Sequence, residues 1–596
     1  MSEYRAPTRD MAFALRSLAG FDEMAKACNY EDASPDVVAA VLDEAAKFAG
    51  NEIAPLNRSG DETGVHLGED RCVQTPDGFK QAYRQYIDGG WAGLQFEAEY
   101  GGQALPFSLA IPVQEMIHAA NMAWGLCPLL SQGATEALSE NADESLKQLL
   151  LPKMISGEWT GTMNLTEPQS GSDLATIRTQ ARPEGDHYRI TGQKIFITWG
   201  EHDMAENIVH LVLARLPDAP AGVKGISLFA VPKFIPDADG NPGERNDCYA
   251  LSLEHKMGIH ASPTCVMSYG ENGGALGYLV GQENQGLACM FTMMNNARLT
   301  VGLQGVAVSE RALQQARTYV AERIQGIAPG EREPSPIVRH PDVRRMMMTM
   351  RALTEAGRGL AYSGCVAVDY AKHAQLDAAR RAYYKRRADL LTPLVKGWCT
   401  EIAQEVTSLA VQCHGGMGFI EETGIAQLYR DARILPIYEG TNGIQALDLI
   451  GRKTIRDGGQ ALQELLAEMR TSAETARASA VLDGRRIEIE AFEQSIQQLE
   501  QALQRVLDGS TNEHFVGAVA FDFLMLTSIV TAGWLMVQSA LLAASECEDG
   551  AGDEYLTGKQ ATVQFFVDHI LPRCAGYLAS VQAGEDSIMA LPEAVL

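Results

Sequence analysis

The sequence predicts an α+β protein in which one compact β-domain is set into an otherwise helical chain, and three observations carry that prediction. Residues 1–160 are dominated by Ala, Leu, Met and Glu at helical spacing, as in DVVAAVLDEAAKFAGNEI and SLKQLLLPKMISGEW. From 161 to 282 the texture changes to short β-branched and aromatic runs, HYRITGQKIFIT, NIVHLVLARL, GISLFAVPKF and TCVMSYG, divided by Gly, Pro and Asp. Long helical patterns then return and run to the end of the chain. The order helical, β, helical, helical excludes a βαβ alternation and a simple Rossmann enzyme, and no GxGxxG fingerprint is present.

The elements justify themselves in order. The N-terminal helical domain, 1–160, is broken by the turn EAEYGGQALP. The middle β-domain, 161–282, follows. The helical segment 283–455 contains RLTVGLQGVAVSERALQQARTYVAERI and MMMTMRALTEAGRGLAYSGCVAVDYA, separated by the Pro- and charge-rich loop GIAPGEREPSPIVRHPD. A further helical domain, 456–596, is entered through KTIRDGGQ. Within it residues 523–545 carry no charge and are long enough to span a bilayer. Asp522 adjoins this stretch, Thr527, Ser528, Thr531, Gln538 and Ser539 interrupt it, and acidic ECEDGAGDE follows, so a buried bundle helix is expected and membrane association is not.

Composition narrows the function classes. A chain of 596 residues is too long for one core. Its net charge of -27 repels nucleic acids and anionic lipid, so no nucleic-acid role is expected. The eleven cysteines include no CxxC pair and no zinc-like Cys/His cluster, so they read as buried thiols of a reducing compartment and no metal site is expected. The N-terminus MSEYRAPTRDMAFALRSLAG lacks a secretory pattern, and a cytoplasmic location is expected.

Three stretches carry chemistry. MNLTEPQSGSDLATIRTQA, 163–181, offers hydroxyls and approachable backbone N–H groups, suited to a flavin ring or phosphate or simply to a polar loop. In GQKIFITWG, 192–200, strand alternation places Phe196 and Thr198 on one side, as a binding surface or an ordinary amphipathic strand. RILPIYEGTNGIQ, 433–445, sets Glu439 after Ile434, Leu435, Ile437 and Tyr438, which read as packed away from water. Glu439 is then either a partly desolvated base or an exposed turn residue before a helix beginning near Thr441.

In combination the motifs become specific. FEAEYGGQALP, TEPQSGSD, GQKIFIT, KMGIHASPT, AERIQG, QCHGGMGF and RDARILPIYEGTNGIQ occur in the order and rough spacing of the acyl-CoA dehydrogenase family, which residues 35–455 resemble. The resemblance implies an N-terminal helical domain, a middle β-barrel and a C-terminal four-helix bundle, with the tail as an additional helical domain found in larger members. It implies FAD, an acyl-CoA substrate, and loss of a Cα proton with hydride transfer from Cβ to flavin N5, giving a trans-2-enoyl-CoA. Glu439 matches the base, with its backbone N–H and a flavin ribityl hydroxyl holding the thioester oxygen. Met163, Leu165 and Thr166 match the loop on the flavin ring, and Ser172 a serine touching cofactor phosphate or substrate. Phe196 stands where tryptophan is frequent, and Thr198 matches a flavin-binding hydroxyl. Arg323, Gln412 and Gly416 match contacts to the adenine half of FAD on a neighbouring subunit, implying a homodimer or a dimer of dimers. The sequence after Arg323 departs from the usual TFG turn. Thr441 and Gly443 fall beside the base and the FAD, and Tyr438 and Gly440 fall on the substrate side of it. Arg298 matches an arginine near the CoA pocket, with Asn295 where aspartate is common.

The resemblance further implies an electron-transferring flavoprotein as acceptor. Acyl-chain length is expected to be set by a cavity beside the N-terminal helices, with NMAWGLCPLL near 121–130 as candidate lining. Medium- or long-chain acyl-CoA in β-oxidation is the expected substrate. Extended members acting on 3-methylmercaptopropionyl-CoA are the near alternative, and an acyl-CoA oxidase or a non-catalytic flavoprotein with a binding or assembly role are the others.

Overall fold

The computed structural model describes residues 4–237, 239–373, 375–478, 486–547 and 553–595. It comprises two compact units, Glu44–Thr300, and Met1–Asp43 together with Val301–Leu596.

The first unit begins with helices, among them α1 (Phe79–Asp88), α2 (Phe107–Ala120), α3 (Met122–Asn141) and α4 (Glu144–Ser156). Local chemistry sets their ends. Asn121 and Asp143 are N-caps that accept the N–H groups of Trp124 and Leu146, and Gly157 ends α4 at a positive φ of 85°. α2 and α3 are apolar almost all round and correspondingly buried.

Among the described residues one sheet of eight strands follows: β1 (Trp159–Asn164), β2 (Gln180–Glu184), β3 (His187–Thr198), β4 (Asn207–Arg215), β5 (Ile226–Pro232), β6 (Cys248–Leu253), β7 (Thr264–Tyr269) and β8 (Ala275–Val280). Their order is β6-β7-β3-β8-β5-β4-β1, and β2 pairs with both β3 and β4. The ring β2-β3-β8-β5-β4 therefore closes into a barrel. The long strand β3 changes partners near Gly192, where a Cβ would stand 2.6 Å from Thr179 Oγ1. Ile190, Val212, Phe229 and Met267 belong to one core, whereas Val209, Leu211 and Leu213 join Leu130, Ala134 and Leu138 of α3 in another. Burial on both faces explains why β4 reads as a nearly continuous apolar run.

Helix α5 (Gly286–Glu322) spans the residue boundary between the units. In the second unit α6 (Pro341–Lys372) and α7 (Ala378–His414) pack along each other. Among the described residues, α5, α6 and α7 are the long helices of the segment 283–455, in which the resemblance implies a four-helix bundle, and the short α8 (Ile425–Ala432) and α9 (Asn442–Leu447) follow them. The tail forms α10 (Gln460–Ala478), α11 (Arg486–Asp508), α12 (Glu513–Cys547) and α13 (Glu554–Phe565), with shorter helices to the end. The segment of α12 from Glu513 to Glu546 is, among the described residues, the one helix long and apolar enough to cross a membrane. It packs against α6, α7, α9, α11 and α13, which accounts for its apolar composition within the fold.

Candidate active site

In the first unit the chain leaves β1 through Leu165 and Thr166, both half-buried, after the buried Met163. A buried ion pair fixes this exit. Lys194 Nζ of β3 donates to Leu165 O at 3.0 Å and to Glu167 Oε1 at 2.8 Å. Glu167 also accepts from the N–H groups of Arg178 (2.6 Å) and Thr179 (3.1 Å) and from Thr179 Oγ1 (2.6 Å). Burial opposes ionisation of Glu167, but Lys194 and these donors outweigh it and hold the pKa at about 2. Burial lowers Lys194 to about 8, so both partners are charged at neutral pH. The motifs TEPQSGSD and GQKIFIT are thus bonded to each other through Glu167 and Lys194, two residues the sequence reading passed over.

The Ile195 N–H donates to Thr166 O at 3.0 Å, bringing this loop beside Phe196. Phe196 has a left-handed φ of 59° and is 59% exposed. The register of β3 against β7 slips between Lys194 and Ile197. The slip interrupts alternation between the buried Lys194 and Ile197 with a bulge at Phe196, and Phe196 and Thr198 flank the inward Ile197. An exposed phenyl beside Leu165, Thr166 and half-buried Thr198 is a platform that a planar ring with polar edges can cover. Ser172 lies exposed on the following loop, and Arg298 is buried in α5.

In the second unit Tyr438, Glu439, Gly440, Thr441 and Gly443 form one turn entering α9. Thr441 is the N-cap, its Oγ1 accepting the Ile444 N–H at 3.3 Å, so a helix does begin where the sequence suggested. Glu439 and Gly440 both take left-handed backbone, φ 55° and 83°. For glutamate this costs on the order of 1–3 kcal/mol and persists only where surroundings enforce it.

Those surroundings come from α7. Lys396, completely buried, donates to Leu435 O (3.0 Å) and Asn442 Oδ1 (2.8 Å), bracketing Glu439 on both sides. Asn442 Nδ2 donates to Glu401 Oε1 at 2.7 Å, and Gln404 Nε2 to Ala432 O at 2.7 Å. The Tyr438 hydroxyl donates to Gln304 Oε1; Gln304 Nε2 is enclosed with no hydrogen-bond partner among the described residues. Burial raises the Tyr438 hydroxyl pKa, and the negative charge of Glu439 adds to the effect. The apolar run before Glu439 is less enclosed than expected: Leu435 is buried and Ile434 half-buried, but Ile437 is 48% exposed. Glu439 is half-buried although the segment before it is not continuously enclosed.

Arg323, Gln412 and Gly416 are all exposed, near the adjoining ends of α5 and α7. There Tyr319 and His414 stack at 4.3 Å, and Gln315 Nε2 donates to Thr423 O at 2.7 Å. Phe419 is 88% exposed beside them in sequence.

The fold and these sites define a class, and the comparisons agree. Residues 36–158, 162–270 and 284–455 match the family domains described as acyl-CoA dehydrogenase N-terminal, middle and C-terminal; residues 462–592 match acetyl-CoA dehydrogenase C-terminal like. The chain belongs to the acyl-CoA dehydrogenase family of FAD-dependent oxidoreductases. It is similar to the 3-methylmercaptopropionyl-CoA dehydrogenase of Ruegeria pomeroyi, 46% identical across 98% of this chain and 99% of that one. It is 35% identical to a butyryl-CoA dehydrogenase of Syntrophomonas wolfei, over 99% and 98% of the two chains. It is 33% identical to a broad-specificity linear acyl-CoA dehydrogenase of Mycobacterium tuberculosis, over the full length of both. The fold is shared with a Caenorhabditis elegans protein solved with C11-CoA, at TM-score 0.76 and 19% identity over 96% and 93% of the chains. It is shared too with a Bacillus anthracis acyl-CoA dehydrogenase complexed with FAD, at TM-score 0.73 and 22% identity over 93% and 89%. FAD is the cofactor of the family, and the exposed Phe196 platform with its flanking hydroxyls fits a flavin ring.

Proposed function

We propose that the chain removes the α and β hydrogens of a short acyl-CoA, giving a trans-2-enoyl-CoA, with Glu439 as the base. The observation that carries this reading is Glu439 itself: a half-buried carboxylate in left-handed backbone, held there by Lys396 and Asn442. Glu439 takes the proton from Cα, and its backbone N–H donates to the thioester oxygen as negative charge develops there. When the acyl group displaces water from the carboxylate, its pKa rises and it becomes a stronger base. Bound FAD supplies the acceptor for the hydride leaving Cβ. Met163, Leu165, Thr166, Phe196 and Thr198 bind the flavin ring. Ser172 serves cofactor phosphate or substrate. Tyr438, Gly440 and Arg298 bind substrate, and Thr441 and Gly443 bind FAD. Arg323, Gln412 and Gly416 bind the adenine half on a second subunit, a dimer for which the exposed Phe419, Met417 and Ile324 supply apolar surface.

A short acyl group, 3-methylmercaptopropionyl in particular, is favoured over a medium or long chain by the 46% identity to the Ruegeria pomeroyi enzyme. Electrons leave to an electron-transferring flavoprotein in the cytoplasm. The test is anaerobic mixing of the FAD-loaded protein with butyryl-, octanoyl-, palmitoyl- and 3-methylmercaptopropionyl-CoA, followed by flavin bleaching. Glu439→Gln is expected to lower the rate about 10²- to 10⁴-fold while retaining FAD, as loss of a general base does. Equal bleaching in both proteins would remove Glu439 from the role. Reoxidation by air as fast as by an electron-transferring flavoprotein would make the protein an oxidase, and sedimentation as a monomer would remove the shared adenine site.

A further inference from the structure

The first unit holds three small cavities that adjoin at Gln132 of α3. Gly125, Pro128 and Leu129, from the stretch expected to line the acyl cavity, form walls of one of them. Unlike the apolar sleeve that a long alkyl chain requires, these walls carry amides. Gln114 Nε2 of α2 donates to Gln132 Oε1 at 2.6 Å, and Gln132 Nε2 donates to the Tyr86 hydroxyl at 3.3 Å. This leaves Gln114 Oε1, on a residue only 6% exposed, enclosed and without a hydrogen-bond partner among the described residues. Gln95 Oε1, in the wall of the cavity that Gln114 shares with Met293 and Thr300 of α5, is likewise unpartnered.

An enclosed amide oxygen without a donor has lost its hydration without replacement, and methylene groups laid against it leave that cost in place. A ligand heteroatom, or a water it carries, removes the cost. The amide chain is also reversible: with the Tyr86 hydroxyl donating and both amides turned, Gln114 presents an N–H to the cavity in place of an oxygen. The free end can therefore meet a hydrogen-bond donor or an acceptor, but a saturated hydrocarbon satisfies neither.

We infer that Gln114 and Gln132 determine acyl specificity, selecting short acyl thioesters whose tail carries a heteroatom, such as a thioether or hydroxyl, over alkyl tails of equal length. This rests on the dehydrogenase reading given above. A tail heteroatom engages the free end of the Gln114–Gln132–Tyr86 chain, while a long alkyl chain would have to separate the Gln114–Gln132 pair.

The test compares isosteric pairs in anaerobic flavin reduction by the FAD-loaded full-length protein: 3-methylmercaptopropionyl- against pentanoyl-CoA, and 5-hydroxypentanoyl- against hexanoyl-CoA. The heteroatom member of each pair is expected to react more efficiently, about tenfold for the hydroxyl, the factor that one hydrogen bond of ordinary net strength supplies, and about threefold for the thioether, a weaker acceptor. Gln114→Leu should bring both ratios to about one or invert them. Gln132→Met, which removes the partner that orients the Gln114 amide, should change both ratios, and it decides the matter if Gln114→Leu fails to retain FAD. Ratios near one in the parent, a parent that prefers octanoyl- or palmitoyl-CoA, or ratios unmoved by the folded variants would overturn the inference and leave the dehydrogenase reading intact. A protein that none of the thioesters reduces would overturn both.

Discussion

Lys396 illustrates how a single buried residue can hold a turn together from a neighbouring helix. It is an ammonium with no exposed surface, joined to a backbone carbonyl before Glu439 and to a side-chain amide after it. Replacing it with methionine keeps much of the volume but strips Leu435 O of this donor, at about 1–3 kcal/mol for a buried group left unsatisfied, while Asn442 Oδ1 keeps the Thr400 hydroxyl at 3.2 Å. The left-handed turn at Glu439 then loses the contacts that enforce it. Lys396→Met is expected to retain FAD yet reduce flavin at least about tenfold more slowly at saturating acyl-CoA, as misplacement of a catalytic group does. Lys396→Arg should not restore the rate, because a planar guanidinium cannot reproduce both bonds in a closed site. Normal rates in Lys396→Met with lowered thermal stability would reduce Lys396 to a structural role. Glu439 could be singled out in the sequence because its YEG motif belongs to a run of motifs in fixed order. Lys396 was not singled out, although one lysine within LLTPLVKGWC, an otherwise uncharged stretch, was the available signal. A buried charge must find partners, and the partners are distant in sequence.

At the scale of elements the helices and the strands HYRITGQKIFIT and NIVHLVLAR lie where periodicity placed them, since half-buried and doubly buried strands write their burial into side-chain pattern. The bulge at Phe196 was not legible, because a slip of register arises from pairing with β7 and leaves no mark in β3 alone. Nor was the Glu167–Lys194 bond, which turns an apparently polar loop into a clamped exit from β1. Its consequence is acid sensitivity with a definite sign. The folded pKa of Glu167, about 2, lies below the unfolded value. Its stabilisation is therefore fully present above about pH 4.5 and is lost as pH falls through about 2, amounting to about 3 kcal/mol. Hydrogen exchange at the Arg178 and Thr179 amides, both of which donate to Glu167, should accelerate beyond its intrinsic pH dependence across that window. Glu167→Gln should show weak protection at neutral pH and no such transition; protection independent of residue 167 would show that the loop is held by other contacts.

For the molecule as a whole, the tail after 455 is bonded into the second unit by charge as well as by α12. Lys559 of α13 contacts Asp10 and donates to Glu355 of α6 at 2.9 Å, while Tyr555 donates to Asp10 at 2.9 Å. Arg358 of α6 links Asp10 (2.5 Å) to Glu310 of α5 (2.8 Å). Burial alone would raise the Asp10 pKa, yet Lys559 and Arg358 overcome it and hold the carboxyl well below its usual range. Sequence periodicity locates all these helices but says nothing of such a network, whose members span residues 10 to 559. Breaking a buried pair by removing one member costs about 3–5 kcal/mol, whereas removing both ions of a pair is often nearly neutral. Lys559→Met should therefore lower the thermal midpoint sharply. The double variant Asp10→Asn with Lys559→Met should recover most of the loss, because Arg358 keeps Glu310 and Glu355 keeps Arg351 at 2.7 Å. A double variant as unstable as the sum of the singles would mean that Lys559 acts by filling space between α6 and α13. Recovery would mean that the tail is held in register by matched charge, so that unbalancing the charge costs more than deleting it.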